Sequence, residues 1–185
     1  MGGVTIHNDH PFATPPQDRD PLRQLRGRMP AGVTIWTTGA GRRRQGWTLS
    51  SVLFADGDPD PERADADPEA RYSEVLGLLD EDSDLADVLE PGTDLVINLL
   101  PTGTSAAALA DAFARLTPAP GGPFTVGDWT DSPAGPRLAN AAGWLHARVV
   151  DAAVHAGWAL LVRARVLSAE VGSGDVLRHE HGRYH

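Results

Sequence analysis

Residues 32–38 read Gly-Val-Thr-Ile-Trp-Thr-Thr, and residues 47–54 read Trp-Thr-Leu-Ser-Ser-Val-Leu-Phe. Both runs are β-branched and aromatic, and such residues fit a pleated, half-buried surface better than a helix. The eight residues between them, 39–46, are rich in Gly and Arg and predict a turn. The segment 32–54 is therefore expected to be an antiparallel hairpin, and this sets the class. Further apolar runs at 72–79, 94–100, 143–154, 157–171 and 175–178 also read as strands.

Helical signals are fewer. Asp20 as N-cap and Pro21 at the first position predict a short helix over 21–29. Residues 83–90 predict another short helix. Residues 105–116 predict an Ala-rich helix capped by Thr104 or Ser105. Residues 117–136 are rich in Pro and Gly and read as loop. The first 20 residues carry Pro11, Pro15 and Pro16 and read as a loosely ordered arm. Six or seven strands with two or three short helices, linked mostly by turns, predict a small antiparallel barrel with helices at its rims. At 185 residues the chain fits one domain, expected over 21–185.

Composition narrows the chemistry. The absence of cysteine excludes disulfide scaffolds, Cys-ligated zinc, iron–sulfur clusters and thiol nucleophiles. No apolar run approaches the ~20 residues of a membrane span, and the N-terminus lacks a basic-then-apolar signal pattern. A soluble, cytoplasmic protein without membrane partners is expected. The net charge is −9, and every basic residue is Arg. Residues 56–94 hold ten Asp, five Glu and only two Arg. Such a balance opposes nucleic-acid binding, which needs a basic surface. The one basic run, Arg42-Arg43-Arg44, falls at the expected hairpin tip. Residues 56–70 lack large apolar side chains and read as a solvated acidic insert. Their Asp spacing resembles a calcium loop only superficially, because prolines occupy the wrong places.

The seven histidines include no HExxH metal motif. His179 and His181 are two apart, on one face of an expected strand. His146 and His155 read as ordinary barrel residues. Ser50-Ser51 has no nucleophile elbow around it. The glycines at 39–46 precede a strand, so they offer phosphate no helix N-terminus. These motifs assign no catalytic residue.

The order of whole segments carries more. Gly32–Thr38, an eight-residue turn, and Trp47-Thr48-Leu49-Ser50-Ser51 are followed by Leu95-Val96-Ile97-Asn98-Leu99-Leu100, Ala112-Phe113-Ala114 and Pro136-Arg137-Leu138. Trp144–Val150 and the closing Leu177 and His181-Gly182-Arg183-Tyr184 complete the series. This succession resembles the flavin reductase-like, FMN-binding split-barrel family over roughly 22–185. The resemblance implies a mainly β, six-stranded antiparallel split barrel with short flanking helices. It implies a homodimer that binds FMN or FAD near the subunit interface. It further implies NAD(P)H as co-substrate and a flavin-dependent monooxygenase as partner for the reduced flavin.

Carried over by position, the resemblance places the first flavin-contacting strand on Trp47, Thr48, Leu49, Ser50 and Ser51. The second segment falls on Asp80–Asp84, including Asp82 and Ser83, and the third on Phe113, Ala114 and Arg115. Read as ordinary residues, Thr48, Ser50 and Ser51 are strand positions and Phe113 is core. Trp36, Trp129 and Trp144 pack the barrel or the dimer face, and Arg183 and Tyr184 close the barrel edge. The sequence departs from the family in three places. The second segment is acidic where the family is polar or basic, and Arg115 stands where the family has Gly, as a compensating charge. An insert replaces the turn after the second strand. Ala156-Gly157-Trp158 replaces the Gly-Asp-His associated with nicotinamide, so that Trp158 would stack on the flavin or fill the nicotinamide site. These departures keep a second reading open: a non-catalytic flavin-binding or partner-binding module.

Overall fold

A computed structural model describes residues 20–57, 59–60, 62–63, 65–67 and 69–185. The expected N-terminal arm lies, except for Asp20, outside them.

Helix α1 spans Pro21–Gly27, and the Asp20 carboxylate accepts the Arg23 N–H at 3.0 Å. It buries none of its residues. A tether from the C-terminal end holds it, where the His181 N–H donates to the Gly27 carbonyl at 2.6 Å. After β1 (Ala31–Gly32), strand β2 (Thr34–Thr38) pairs antiparallel with β3 (Gln45–Leu49), from Thr34 opposite Leu49 to Thr38 opposite Gln45. The hairpin expected over 32–54 is present, with Arg42 and Arg43 in a 3-10 turn at its tip.

The expected second strand is broken at Ser50-Ser51, and its continuation is β4 (Val52–Ala55). That break determines the architecture. The remaining strands of the main sheet are β5 (Glu74–Asp80), β6 (Asp94–Leu99), β9 (Gly143–Ala156) and β10 (Ala159–Val171). Their order is β3-β2-β6-β9-β10-β5-β4, all antiparallel. The two edges of the sheet are thus successive halves of one segment. At the break the Leu78 N–H donates to the Ser51 carbonyl at 3.1 Å. Counted with the broken segment as one strand, this is a six-stranded antiparallel split barrel. Bending the sheet onto itself in this way also removes exposed edges that would template aggregation. Bulges in the long β9–β10 hairpin, at 161–164 and 166–168, supply part of the required twist.

Two apolar layers result. Inside the barrel lie Trp36, Leu79, Leu95, Ile97, Ala147 and Val162. On the other side of β2, helix α2 (Thr104–Phe113) seals a second cluster of Val33, Ile35, Leu100, Leu109, Phe113 and Leu177. A small hairpin, β7 (Trp129–Ser132) and β8 (Gly135–Leu138), lies over this region within the segment expected to be loop. The chain closes with β11 (Arg178–Glu180) and β12 (Arg183–Tyr184), which pair with each other while β11 pairs with β1.

Several expectations are corrected. The helix expected over 83–90 is only a 3-10 turn at Ala86–Val88, where a buried Leu85 directs the chain back to the barrel. The N-cap of α2 is Gly103, without a side-chain capping bond, in place of Thr104 or Ser105. Residues 175–178 contribute one bridge, Pro101–Val176, before β11 begins. His181 has φ 51° and lies in the turn after β11, so it does not share a strand face with His179.

The acidic insert departs most from its reading. Asp60 is 1% exposed. Its carboxylate oxygens accept from Arg165 Nη2 at 2.6 and 2.5 Å, and Glu62 accepts from Arg165 Nη1 at 2.5 Å. The Arg165 guanidinium lies 4.8 Å from the Tyr72 ring centroid. The insert is therefore clasped to β10 at Asp60. The counter-charge comes from a residue distant in sequence, which local composition does not reveal.

Gly77 explains how closely the barrel is filled. A Cβ there would stand 2.8 Å from the Trp36 ring and 2.9 Å from Leu49. Both neighbours are buried and rigid. Gly77→Ala should cost about 1–3 kcal/mol by overpacking, a fall of roughly 2–12 °C in Tm. An unchanged calorimetric Tm would show that the indole moves aside freely.

Candidate functional site

The break at Ser50-Ser51 interrupts the sheet and leaves both hydroxyls without a hydrogen-bond partner among the described residues. They line a cleft of about 760 Å³ between α1, β4, β5 and the C-terminal hairpin. Its floor is apolar, from Leu53, Leu76, Leu78 and Leu161, side chains on the outward face of the sheet. Arg23 and Arg26 of α1 and His179 of β11 also line it, and among the described residues no Asp or Glu does.

The charged form of the His179 imidazole is disfavoured. Burial pushes its pKa down, with the nearby Asp111 opposing and His185 adding to the fall. Its ring meets Tyr184 edge-on, with centroids 5.4 Å apart. The Tyr184 hydroxyl donates to Asp111 Oδ1 at 3.0 Å. Burial raises the phenol far above its ordinary value, so it stays a donor. A chain linking α2, β12 and β11 thus fixes the imidazole at the cleft.

A second locus lies at the end of β5. The Arg115 guanidinium pairs with Asp84 and stands 5.8 Å from the Trp47 ring centroid. Arg115 has φ 55°, a left-handed conformation at the end of α2. The tip of the β9–β10 hairpin is beside it, with Ala159 opposite Asp80 and His155 Nδ1 3.3 Å from Glu81 Oε2.

The sequence-derived residues distribute over these places. Ser50 and Ser51 line the cleft. Trp47 and Arg115 share the second locus, and Asp82 is exposed there, its N–H donating to the Asp80 carboxylate at 3.0 Å. Trp158, at the hairpin tip, is 81% exposed. Others are engaged in the fold itself. Leu49 belongs to the barrel core. The Thr48 hydroxyl donates to the Ala110 carbonyl at 2.8 Å and ties β3 to α2. Ser83 is fully buried; its hydroxyl donates to the Asp80 carbonyl at 2.6 Å and accepts from Ala86 N–H, closing the 80–86 turn. Phe113 is buried against Phe124 and Trp129, and its ring leaves room for no side chain at position 46. Ala114 caps α2, its N–H donating to the Ala110 carbonyl. The sequence reading did not single out Arg23, Arg26 or Leu161. The spacing of the two arginines, three apart on a short helix, was the one available signal.

Among the described residues no group of three or more His, Asp or Glu is placed to hold a metal ion, and no helix is long and apolar enough to cross a membrane.

Comparison with solved structures identifies the same arrangement of strands. A putative oxidoreductase from Sinorhizobium meliloti superposes with a TM-score of 0.70 at 24% identity, over 90% of this chain. This chain spans only about half of that one, 53%. The NADH:FAD oxidoreductase SgcE6 of Streptomyces globisporus C-1027 gives a TM-score of 0.70 at 23% identity, covering 92% of this chain and 94% of that one. BorF, the flavin reductase component of a bacterial two-component tryptophan halogenase, gives 0.67 at 22%, covering 89% and 94%. At these identities the likeness is one of fold. Comparison with curated protein sequences gives no match. The carboxy-terminal part of the barrel, from the residue before β5 through the hairpin that carries His179, is matched in sequence as well. Residues 73–185, more than half the chain, match the family model of the flavin reductase like domain, and the chain belongs to that family.

Proposed function

We propose that the protein binds FMN or FAD at the strand break and reduces it with NADH or NADPH, as a flavin reductase or the reductase component of a two-component monooxygenase. The carrying observation is the pair of hydroxyls, Ser50 and Ser51, above a leucine floor in a cleft that no carboxylate of the described residues lines. These residues fit a flavin: an apolar surface suits the ring system, and hydroxyls suit its polar edge. The bound flavin would supply the hydride chemistry. The chain's own residues bind, orient and exclude water. Ser50 and Ser51 would hold the polar edge of the ring, Leu78 and Leu161 would supply apolar contact, and His179, packed edge-on against Tyr184, would offer a hydrogen bond. Trp47 and Arg115 would border the site, with Arg115 neutralising Asp84 in the acidic turn.

The test is titration of flavin-free protein with FMN and FAD, followed by flavin fluorescence, and then NAD(P)H oxidation. Saturable micromolar binding with turnover above the buffer rate supports the reading; no binding to either flavin removes it. Replacing both hydroxyls, Ser50→Ala with Ser51→Ala, should weaken binding about tenfold, the loss of two modest hydrogen bonds. An unchanged Kd would take the break out of the site.

The exposed apolar residues Leu53, Leu78, Val150 and Val154 on the outer sheet support a homodimer. Sedimentation at micromolar concentration tests it, and a monomer would count against it. The BorF likeness supports a monooxygenase-type partner for the reduced flavin. One observation favours the non-catalytic module: the hairpin tip carries Ala156-Gly157-Trp158 and an exposed Trp158 where the family has its nicotinamide motif. Flavin binding without NAD(P)H oxidation would select that reading. Among the described residues the cleft is lined by neither Trp158 nor the acidic insert, which favours the enzyme.

A further inference from the structure

The charge census of the cleft differs from that of the chain. The protein has a net charge of −9, with 25 acidic residues. Yet among the described residues the titratable side chains lining the cleft are Arg23, Arg26 and His179, whose charged form burial disfavours. The acidic turn 80–84 is absent from the lining, and its one nearby cation, Arg115, pairs with Asp84. The arginines are three apart on α1, so they share a helix face. That helix buries no residue of its own, so core packing does not explain its position over the cleft. A cleft lined by leucines, two serine hydroxyls and two arginines matches a planar heteroaromatic ring that carries a phosphate. Arginine's planar fork suits phosphate oxygens.

We propose that Arg23 and Arg26 of α1 receive the phosphate of the nucleotide whose ring lies on the leucine floor, making α1, and not the 80–84 turn, the anion end of the site. This rests on the flavin reading above. The phosphate belongs to a flavin nucleotide or a nicotinamide nucleotide, which share this chemistry.

The experiment compares riboflavin, FMN and FAD binding, and the KM for NADH, in wild type, Arg23→Gln/Arg26→Gln and Arg115→Gln. Because α1 contributes nothing to the core, the double variant is expected to fold, and riboflavin binding provides the internal control. The expected result is FMN binding about tenfold weaker in the double variant, with riboflavin changed less than twofold. A tenfold rise in KM for NADH with flavin binding and kcat held would also support the anion rim, with the phosphate supplied by the nicotinamide nucleotide. Equal losses for riboflavin and FMN, no change for any ligand, or a selective FMN loss in Arg115→Gln instead would overturn the proposal. Failure of the flavin reading is distinguishable: wild-type protein would then bind neither riboflavin nor FMN, and the inference falls with it.

Discussion

Asn98→Leu will lower the thermal midpoint by roughly 10 °C, the largest loss expected from any single buried polar change in the barrel. Asn98 is fully buried on β6. Its Oδ1 accepts the Leu138 N–H at 2.8 Å. Its Nδ2 donates to the Ile35 carbonyl at 3.2 Å, to Thr37 Oγ1 at 3.3 Å and to the Pro136 carbonyl at 3.4 Å. One side chain therefore bonds the β7–β8 hairpin to the sheet. Thr37 assists, its hydroxyl donating to the Pro136 carbonyl at 2.5 Å. Leucine is similar in size, so the loss is of hydrogen bonds more than of volume. An orphaned buried N–H alone costs about 1–3 kcal/mol, and the amide donors add to it. Differential scanning calorimetry checks this; a midpoint within 2 °C of wild type would show that water or backbone shifts satisfy Leu138.

Asp60→Asn should produce a comparable fall, about 10 °C, because it leaves the largely buried Arg165 guanidinium without its bidentate partner. Arg165 Nε already lacks a hydrogen-bond partner, so the group has little reserve. The same pair gives a pH dependence. The Arg165 hydrogen bonds hold the Asp60 carboxyl below its ordinary value of 3.8, against the opposing effect of burial. Burial likewise pushes Asp94 up, but the hydrogen bonds from Arg148, with His146 Nε2 3.3 Å away, outweigh it and leave it lowered. A depressed carboxylate contributes stability that is fully present above its unfolded pKa and lost as pH falls through the folded one. The midpoint of wild type should therefore fall steeply below about pH 4, and that of Asp60→Asn less steeply. Parallel acid profiles for the two proteins would remove Asp60 from the account. Cleavage within 56–72 by a protease should also become faster in the variant, since the clasp is what holds the insert.

The strands were readable because β-branched and aromatic runs, punctuated by Gly and Pro, have few other ways to bury one face. The hairpin at 34–49 and the strand 94–99 fall within a residue or two of where the pattern places them. The β7–β8 hairpin was not readable, since Trp129–Leu138 carries Asp, Ser, Pro and Gly and becomes strand only through Asn98 and Thr37. Among the candidate residues, segment order singled out Ser50 and Ser51, and the structure puts both in the lining of the cleft. Ser83 and Phe113 lay in segments of the right kind, but their neighbours give them structural duties: a turn to close in one case, a helix to pack in the other.

The sequence by itself determined the antiparallel β class, the order of the strands along the chain and the family. Those depend on local pattern, and local pattern is written in consecutive residues. Only the tertiary structure decided that the second strand breaks at Ser50-Ser51 and feeds both edges of one sheet. Only it decided that Asp60 meets Arg165, and that in a strongly acidic chain two arginines line a cleft that no carboxylate of the described residues lines. Each of these joins residues far apart in sequence. Closing the barrel brings them together, and no composition of a single segment encodes that meeting.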